Sequence, residues 1–193
     1  MVRLSVSHSP VGAIIFQSLR DETPFGIAVN ECSIIPQQEL IVSHINHVGL
    51  YIGDNKVIEA TRLDGVIERK FSDFLLDANY SIAATINDVA LIRHAIKRAQ
   101  LYLGQPYNHS FYPDGCGFYC SELIVYAYQW ENGNNYFEQY PMNFCDGNSS
   151  HILPYWKEYY QRLGLEIPQG LLGSHPQQLL RQTNLFDSMT LLT

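Results

Sequence analysis

From Ile45 to Ile52 the chain alternates: Val48, Leu50 and Ile52 project to one side, and His47, Gly49 and Tyr51 to the other. That is the period of a strand with one covered face. Gly53-Asp54-Asn55-Lys56 has hairpin-turn composition, and Val57 to Thr61 resumes a strand that carries Glu59. Asp64-Gly65 supplies a second turn before Val66 to Lys70, so the middle of the chain predicts a three-stranded antiparallel meander. Ahead of it, Val11 to Gln17 (VGAIIFQ) is a short apolar run that suits a buried strand. Ser18 to Pro36 is broken up by Pro24, Gly26, Asn30 and Pro36, and predicts a loop with one short element, suited to a lid or pocket wall.

After the meander the period lengthens. Phe71 to Leu76 has amphipathic spacing, and Ser81 to Thr85 reads as a further short strand. Val89, Ile92, Ala95, Ile96, Ala99 and Leu103 follow helical spacing, with Asn87 or Asp88 to cap the start and Gly104 and Pro106 to stop the end. Tyr107 to Tyr119 is loop-like. From Cys120, the residues Leu123, Ile124, Ala127 and Tyr128 recur at three and four, which predicts a buried helix. Polar loops near Glu131 to Asn135 and Asn143 to Ser150 and helices at Pro154 to Leu163 and His175 to Arg181 complete the chain.

At 193 residues with 46% hydrophobic content, the chain is expected to form one domain around one core, residues 131–193 being a C-terminal elaboration. A net charge of −7 without a basic run argues against a nucleic-acid partner, because phosphate binding needs clustered Lys and Arg. No stretch approaches the length of a membrane span and no leader pattern opens the chain, which predicts a soluble protein, cytoplasmic or exported after leader removal. The four cysteines, Cys32, Cys116, Cys120 and Cys145, form neither a disulfide framework nor a CxxC zinc pair, and nothing calls for a metal or other cofactor. The sequence leaves the oligomeric state open.

This directs attention to Cys120 as a nucleophile. A thiol near neutral pH is mostly protonated, and the first turn of a helix favours the thiolate through unpaired N–H groups and the positive end of the dipole. The same N–H groups suit a developing oxyanion. A histidine in contact would serve as thiolate partner and then as general acid, and His47 is suitably presented on its strand. A third polar group usually orients such an imidazole. Glu59, on the adjoining strand, is the nearest candidate, and turn register decides whether it shares the His47 face.

The runs VGAIIFQ, HVGLYIGDNKVIEATRLDGVIERKFSDF and GQPYNHSFYPDGCGFYCSELIVYAY resemble the YaeF/YiiX group of permuted NlpC/P60 papain-like proteins, over roughly Val11 to Trp130. In that group the His strand precedes the Cys helix, as in this chain. The resemblance implies an α+β, circularly permuted papain-like fold, with an antiparallel barrel or sheet against the Cys-bearing helix, and Cys120, His47 and Glu59 as catalytic residues. It implies a cysteine-dependent hydrolase (amidase or peptidase-like) or acyltransferase. The expected partner is a small-molecule, peptide or lipid acyl substrate, an amide or thioester such as a cell-wall peptide or lipid-linked group. Where family members commonly carry Gly-Asp at the first strand, this chain has Gly12-Ala13, so any role of that acid is absent.

Plainer readings stand beside these. The rival class is a catalytically weak lipid- or peptide-binding module using the same cleft, and a third is a redox or metal protein built on Cys116 and Cys120. Glu122 reads as a helix-start acid favoured by the dipole, without a catalytic role. His44 competes with His47 but falls outside the strand, and His109, His151 and His175 read as surface or loop residues. Tyr119 lines the pocket, aids the oxyanion site or packs in the core, and Tyr107, Phe111, Tyr112 and Phe118 are candidates to bound an apolar acyl pocket or to pack for stability alone.

Overall fold

The computed structural model describes residues 9–32, 44–146 and 150–192. The part of the expected Ser18–Pro36 loop beyond residue 32, and part of the Asn143–Ser150 loop, lie outside them. The hairpins form where turn chemistry placed them: β2 (His47–Gly53), β3 (Lys56–Thr61) and β4 (Gly65–Lys70) are sequential and antiparallel. The first turn puts both Asp54 (φ 50) and Asn55 (φ 56) in the left-handed region, the conformation whose twist matches paired strands.

β1 (Ile14–Leu19) pairs antiparallel with β2 on one side and with β5 (Ala78–Thr85) on the other. β8 (Ser188–Leu192) adds to β5, giving the order β4-β3-β2-β1-β5-β8. The sheet is open and does not close into a barrel. Its last strand, which the sequence pattern did not reveal, comes from the C-terminal segment expected to be an elaboration.

β2 is covered on both faces, where alternation had predicted one. Val48, Leu50, Ile58 and Ala60 pack with Phe16 and Ile82 against α3 (Val89–Leu101) and α4 (Cys120–Ala127). On the opposite face Ile15, Tyr51, Val57 and Ala83 pack with Phe71 and Phe74 of α2 (Phe71–Leu76). The short α2, folded back over the sheet, thus makes room for His47 to be buried rather than solvated. Asp88 caps α3, its carboxylate accepting from Leu91 N at 2.9 Å.

The broken segment after β1 contains α1 (Pro24–Cys32), and α5 (Pro154–Leu163) packs on it. Ala28, Phe144, Trp156 and Tyr160 form a third apolar cluster there, separate from the sheet core. A two-stranded ribbon, β6 (Tyr140–Pro141) with β7 (Leu172–Gly173), and α6 (Pro176–Arg181) finish this side.

The loop that delivers Cys120 is stapled to β4: Val66 N donates to Gln105 O and Gly104 N to Val66 O, each at 2.9 Å. Its last turn requires glycine. Gly117 sits at φ +87, and a Cβ there would lie 1.8 Å from Pro106 O. Gly117→Ala is therefore expected to destabilise by about 3 kcal/mol, from the left-handed backbone and the overpacking together, read as a lowered urea midpoint.

Candidate active site

Cys120 is the first residue of α4, whose N-cap is Tyr119 in an extended conformation. The helix starts there because Glu122 reaches back: its carboxylate accepts from Tyr119 N at 3.2 Å and from Asn108 Nδ2 at 3.1 Å. Burial pushes the Glu122 carboxyl up to about 7, against those two hydrogen bonds. Both bonds are accepted by Oε2 and hold the turn together, and Glu122 lines neither cavity beside Cys120.

His47 is fixed from both sides. Ahead of it, Asn46 Oδ1 accepts from Leu19 N at 2.8 Å, and Ile45 N donates to Gln177 Oε1 at 2.8 Å. The ring of Phe74 packs on the imidazole at a centroid distance of 5.8 Å. The register Gly49↔Glu59 places Glu59 diagonal to His47 on one face, the point turn register had left open. His47 Nε2 lies 2.5 Å from Glu59 Oε2, which leaves Nδ1 as the ring nitrogen for the Cys120 thiol, with which the imidazole is also hydrogen-bonded.

Cys120 and His47 are 8% exposed and Glu59 2%, so the charges in this line are largely out of water. Burial alone would lower the His47 pKa, but the hydrogen bonds to Cys120 and Glu59 overcome it and hold the imidazolium up to about 10. Burial would likewise raise Glu59, yet His47 and Arg69 keep its carboxyl below the usual range.

Cys120 forms a wall common to two cavities. One, of about 240 Å³, is apolar, with Phe25 and Val29 of α1, Phe111, Phe144 and Trp156 around it. The other, of about 570 Å³, is a cleft that carries the charged side chains of His47, Glu59, Arg62 and Arg69 and shares Phe25, Val29 and Tyr107 with the first. Arg62 stacks its guanidinium on Phe25 at 3.8 Å and so holds α1 beside the cleft.

Of the aromatic residues expected at an acyl pocket, Tyr107 and Tyr119 line it and Phe118 and Tyr112 do not. Residues 118 and 119 pack in different places. Phe118 stacks on Tyr102 at 4.4 Å, while Tyr119 turns inward and its hydroxyl accepts from Ser174 N at 3.1 Å. Tyr112 packs half-buried against the third apolar cluster and donates to Glu166 O, and Phe111, at φ 58, takes the place beside the cavity. His175, expected on the surface or in a loop, also walls the apolar cavity; it caps α6 through Nδ1, which accepts from Gln177 N at 3.1 Å, and burial pushes its pKa down to about 4. The walls from α1, Met142 to Phe144 and Trp156 carried no chemical signal in the sequence, only apolar character.

A helix-borne cysteine served by a histidine from an antiparallel sheet, with the histidine strand earlier in the chain, defines the permuted papain-like class. Residues 8–186 match the family of permuted papain-like amidase enzymes YaeF/YiiX, and the chain belongs to that family. Membership supports a hydrolase of the amidase or peptidase kind. A search of curated proteins finds no match. The crystal structure of yiiX from Escherichia coli, described as a metalloprotein, is similar with a TM-score of 0.68 at 20% identity, covering 96% of this chain and 98% of that one. At that identity the likeness is one of fold. Among the described residues no group of three or more His, Cys, Asp or Glu side chains is gathered to hold a metal, and no helix is long and apolar enough to cross a membrane.

Proposed function

We propose that the protein is an amidase that cleaves an apolar acyl group from a polar amine, with Cys120 as nucleophile, His47 as proton carrier and Glu59 as orienting carboxylate. The observation that carries this reading is that Cys120 lines both the cavity walled by Phe144 and Trp156 and the cleft that carries the charged side chains of His47, Glu59, Arg62 and Arg69. A carbonyl held at the thiolate would have its chain on the Phe144 and Trp156 side and its amine on the His47 side.

The thiolate attacks the carbonyl carbon, and the oxyanion forms beside the helix start, where the N–H groups of Cys120 and Ser121 have no partner within the helix. His47 Nδ1–H protonates the departing nitrogen as the C–N bond breaks, leaving a thioester on Cys120. His47 then takes a proton from water as it attacks, and the C–S bond breaks to release the acid. Transfer to a second amine would use the same residues, the outcome depending on which acceptor reaches the thioester.

The test is a panel of N-acyl amino acids and acyl thioesters of graded chain length, with muropeptides as the polar comparison. Short to medium acyl chains are expected to give kcat/KM values at least about tenfold above the muropeptides, each apolar methylene buried in the transition state adding up to roughly threefold to fourfold. A preference for muropeptides would refute the acyl-pocket assignment, and binding of the chains without turnover would favour the binding-module reading.

A further inference from the structure

Glu59 presents a physical difficulty that His47 alone does not resolve. A carboxylate 2% exposed keeps its charge only if both oxygens find partners, and His47 occupies one of them. The second partner comes from the meander. Glu59 pairs with Ile67 across β3 and β4, so Arg69, two residues on, lies diagonal to Glu59 on the same face. His47, Glu59 and Arg69 thus cross three strands as one diagonal row.

Arg69 Nη1 donates to Glu59 Oε1 at 3.2 Å and to Asp77 Oδ2 at 2.7 Å, Asp77 being the C-cap of α2. Arg20, Asp21, Arg62 and Asp64 also line the cleft, but among the described residues none of them bonds Glu59 or His47. We propose that Arg69 is a positioning residue of the reaction: anchored by Asp77, it keeps the Glu59 carboxylate ionised and turned toward His47, and so sustains the Cys120–His47 pair. The inference rests on Cys120 being the nucleophile.

Without Arg69 the buried carboxylate keeps only His47 as a cationic partner and takes up a proton at higher pH. A neutral Glu59 no longer supports the imidazolium. The loss therefore falls on the acid side of the profile, where a purely structural arginine would change folding and leave the profile in place.

The experiment measures iodoacetamide alkylation of Cys120, read on its own peptide by mass spectrometry, between roughly pH 4 and pH 10. Wild type is compared with Arg69→Met, Arg69→Lys and Asp77→Asn, each checked for folding by thermal melting. Arg69→Met is expected to move the acid limb up by about one pH unit, lowering alkylation about tenfold on that limb and much less on the plateau. Arg69→Lys should recover part of that loss by restoring the charge, and Asp77→Asn should give an intermediate shift. An Arg69→Met profile superimposable on wild type overturns the proposal; if that variant does not fold, a wild-type profile in both Arg69→Lys and Asp77→Asn overturns it. A wild-type Cys120 that reacts as an ordinary thiol instead overturns the nucleophile assignment, a distinct failure.

Discussion

Cys120→Ser is expected to lower kcat on any accepted amide or thioester by about 10⁴-fold or more, with KM little changed. The substitution keeps nearly the same shape at a position 8% exposed in the first turn of α4, so the fold should move by less than about 1 kcal/mol. What it removes is the group able to hold negative charge beside His47. A serine hydroxyl in the same place stays protonated, and the imidazole cannot form the ion pair that the proposed mechanism requires. The measurement is turnover on the acyl panel together with intact-mass detection of an acyl adduct. Activity that survived in the serine variant would place the nucleophile elsewhere.

His47→Ala is expected to reduce turnover by about 10³-fold, and it differs from the serine variant in also destabilising the protein. Removing one partner of a buried ion pair leaves the other uncompensated, at a cost of about 3 to 5 kcal/mol, partly relieved here because Arg69 still holds Glu59. The pH dependence follows from the two shifts. His47 titrates near 10 in the folded protein against an ordinary value of 6.5, so its contribution is fully present below about 6.5 and disappears as pH rises through about 10. Glu59 titrates below its ordinary 4.5, so its contribution is present above that value and disappears as pH falls through the lowered one. Wild type should therefore hold a plateau of stability bounded by those two titrations, measured as urea midpoints against pH. His47→Ala should flatten the alkaline edge, and an unchanged alkaline edge would mean that His47 is not charged in the folded protein.

The same physics explains which parts of the molecule could be read beforehand. The meander, the Asp88-capped helix and the helix opening at Cys120 depend on period, turn residues and caps, all of which lie within a few residues of one another. The order of His47 before Cys120 is likewise a property of the chain alone. By contrast, the burial of β2 on both faces depends on α2 folding back, and the central place of β1 between β2 and β5 joins segments about thirty to seventy residues apart. β8 reaches the sheet from the far end of the chain.

The candidate site divides along the same line. The residue types at Cys120, His47 and Glu59, and their spacing, state what chemistry is on offer. Their meeting was decided by strand register: one residue of slip in β3 would turn Glu59 to the other face and leave His47 without it. Register also brought in Arg69, which as an isolated strand arginine gives no signal. The pocket was decided by tertiary structure throughout. Phe118 packs on Tyr102 and Tyr126 while its neighbour Tyr119 turns into the cavity, and Phe25, Phe144 and Trp156 converge only when α1, α5 and the connecting segment pack. Local pattern thus determined the elements and the helix that opens at Cys120, while long-range packing determined which polar groups stand behind the imidazole and what the cavity beside the sulfur can hold.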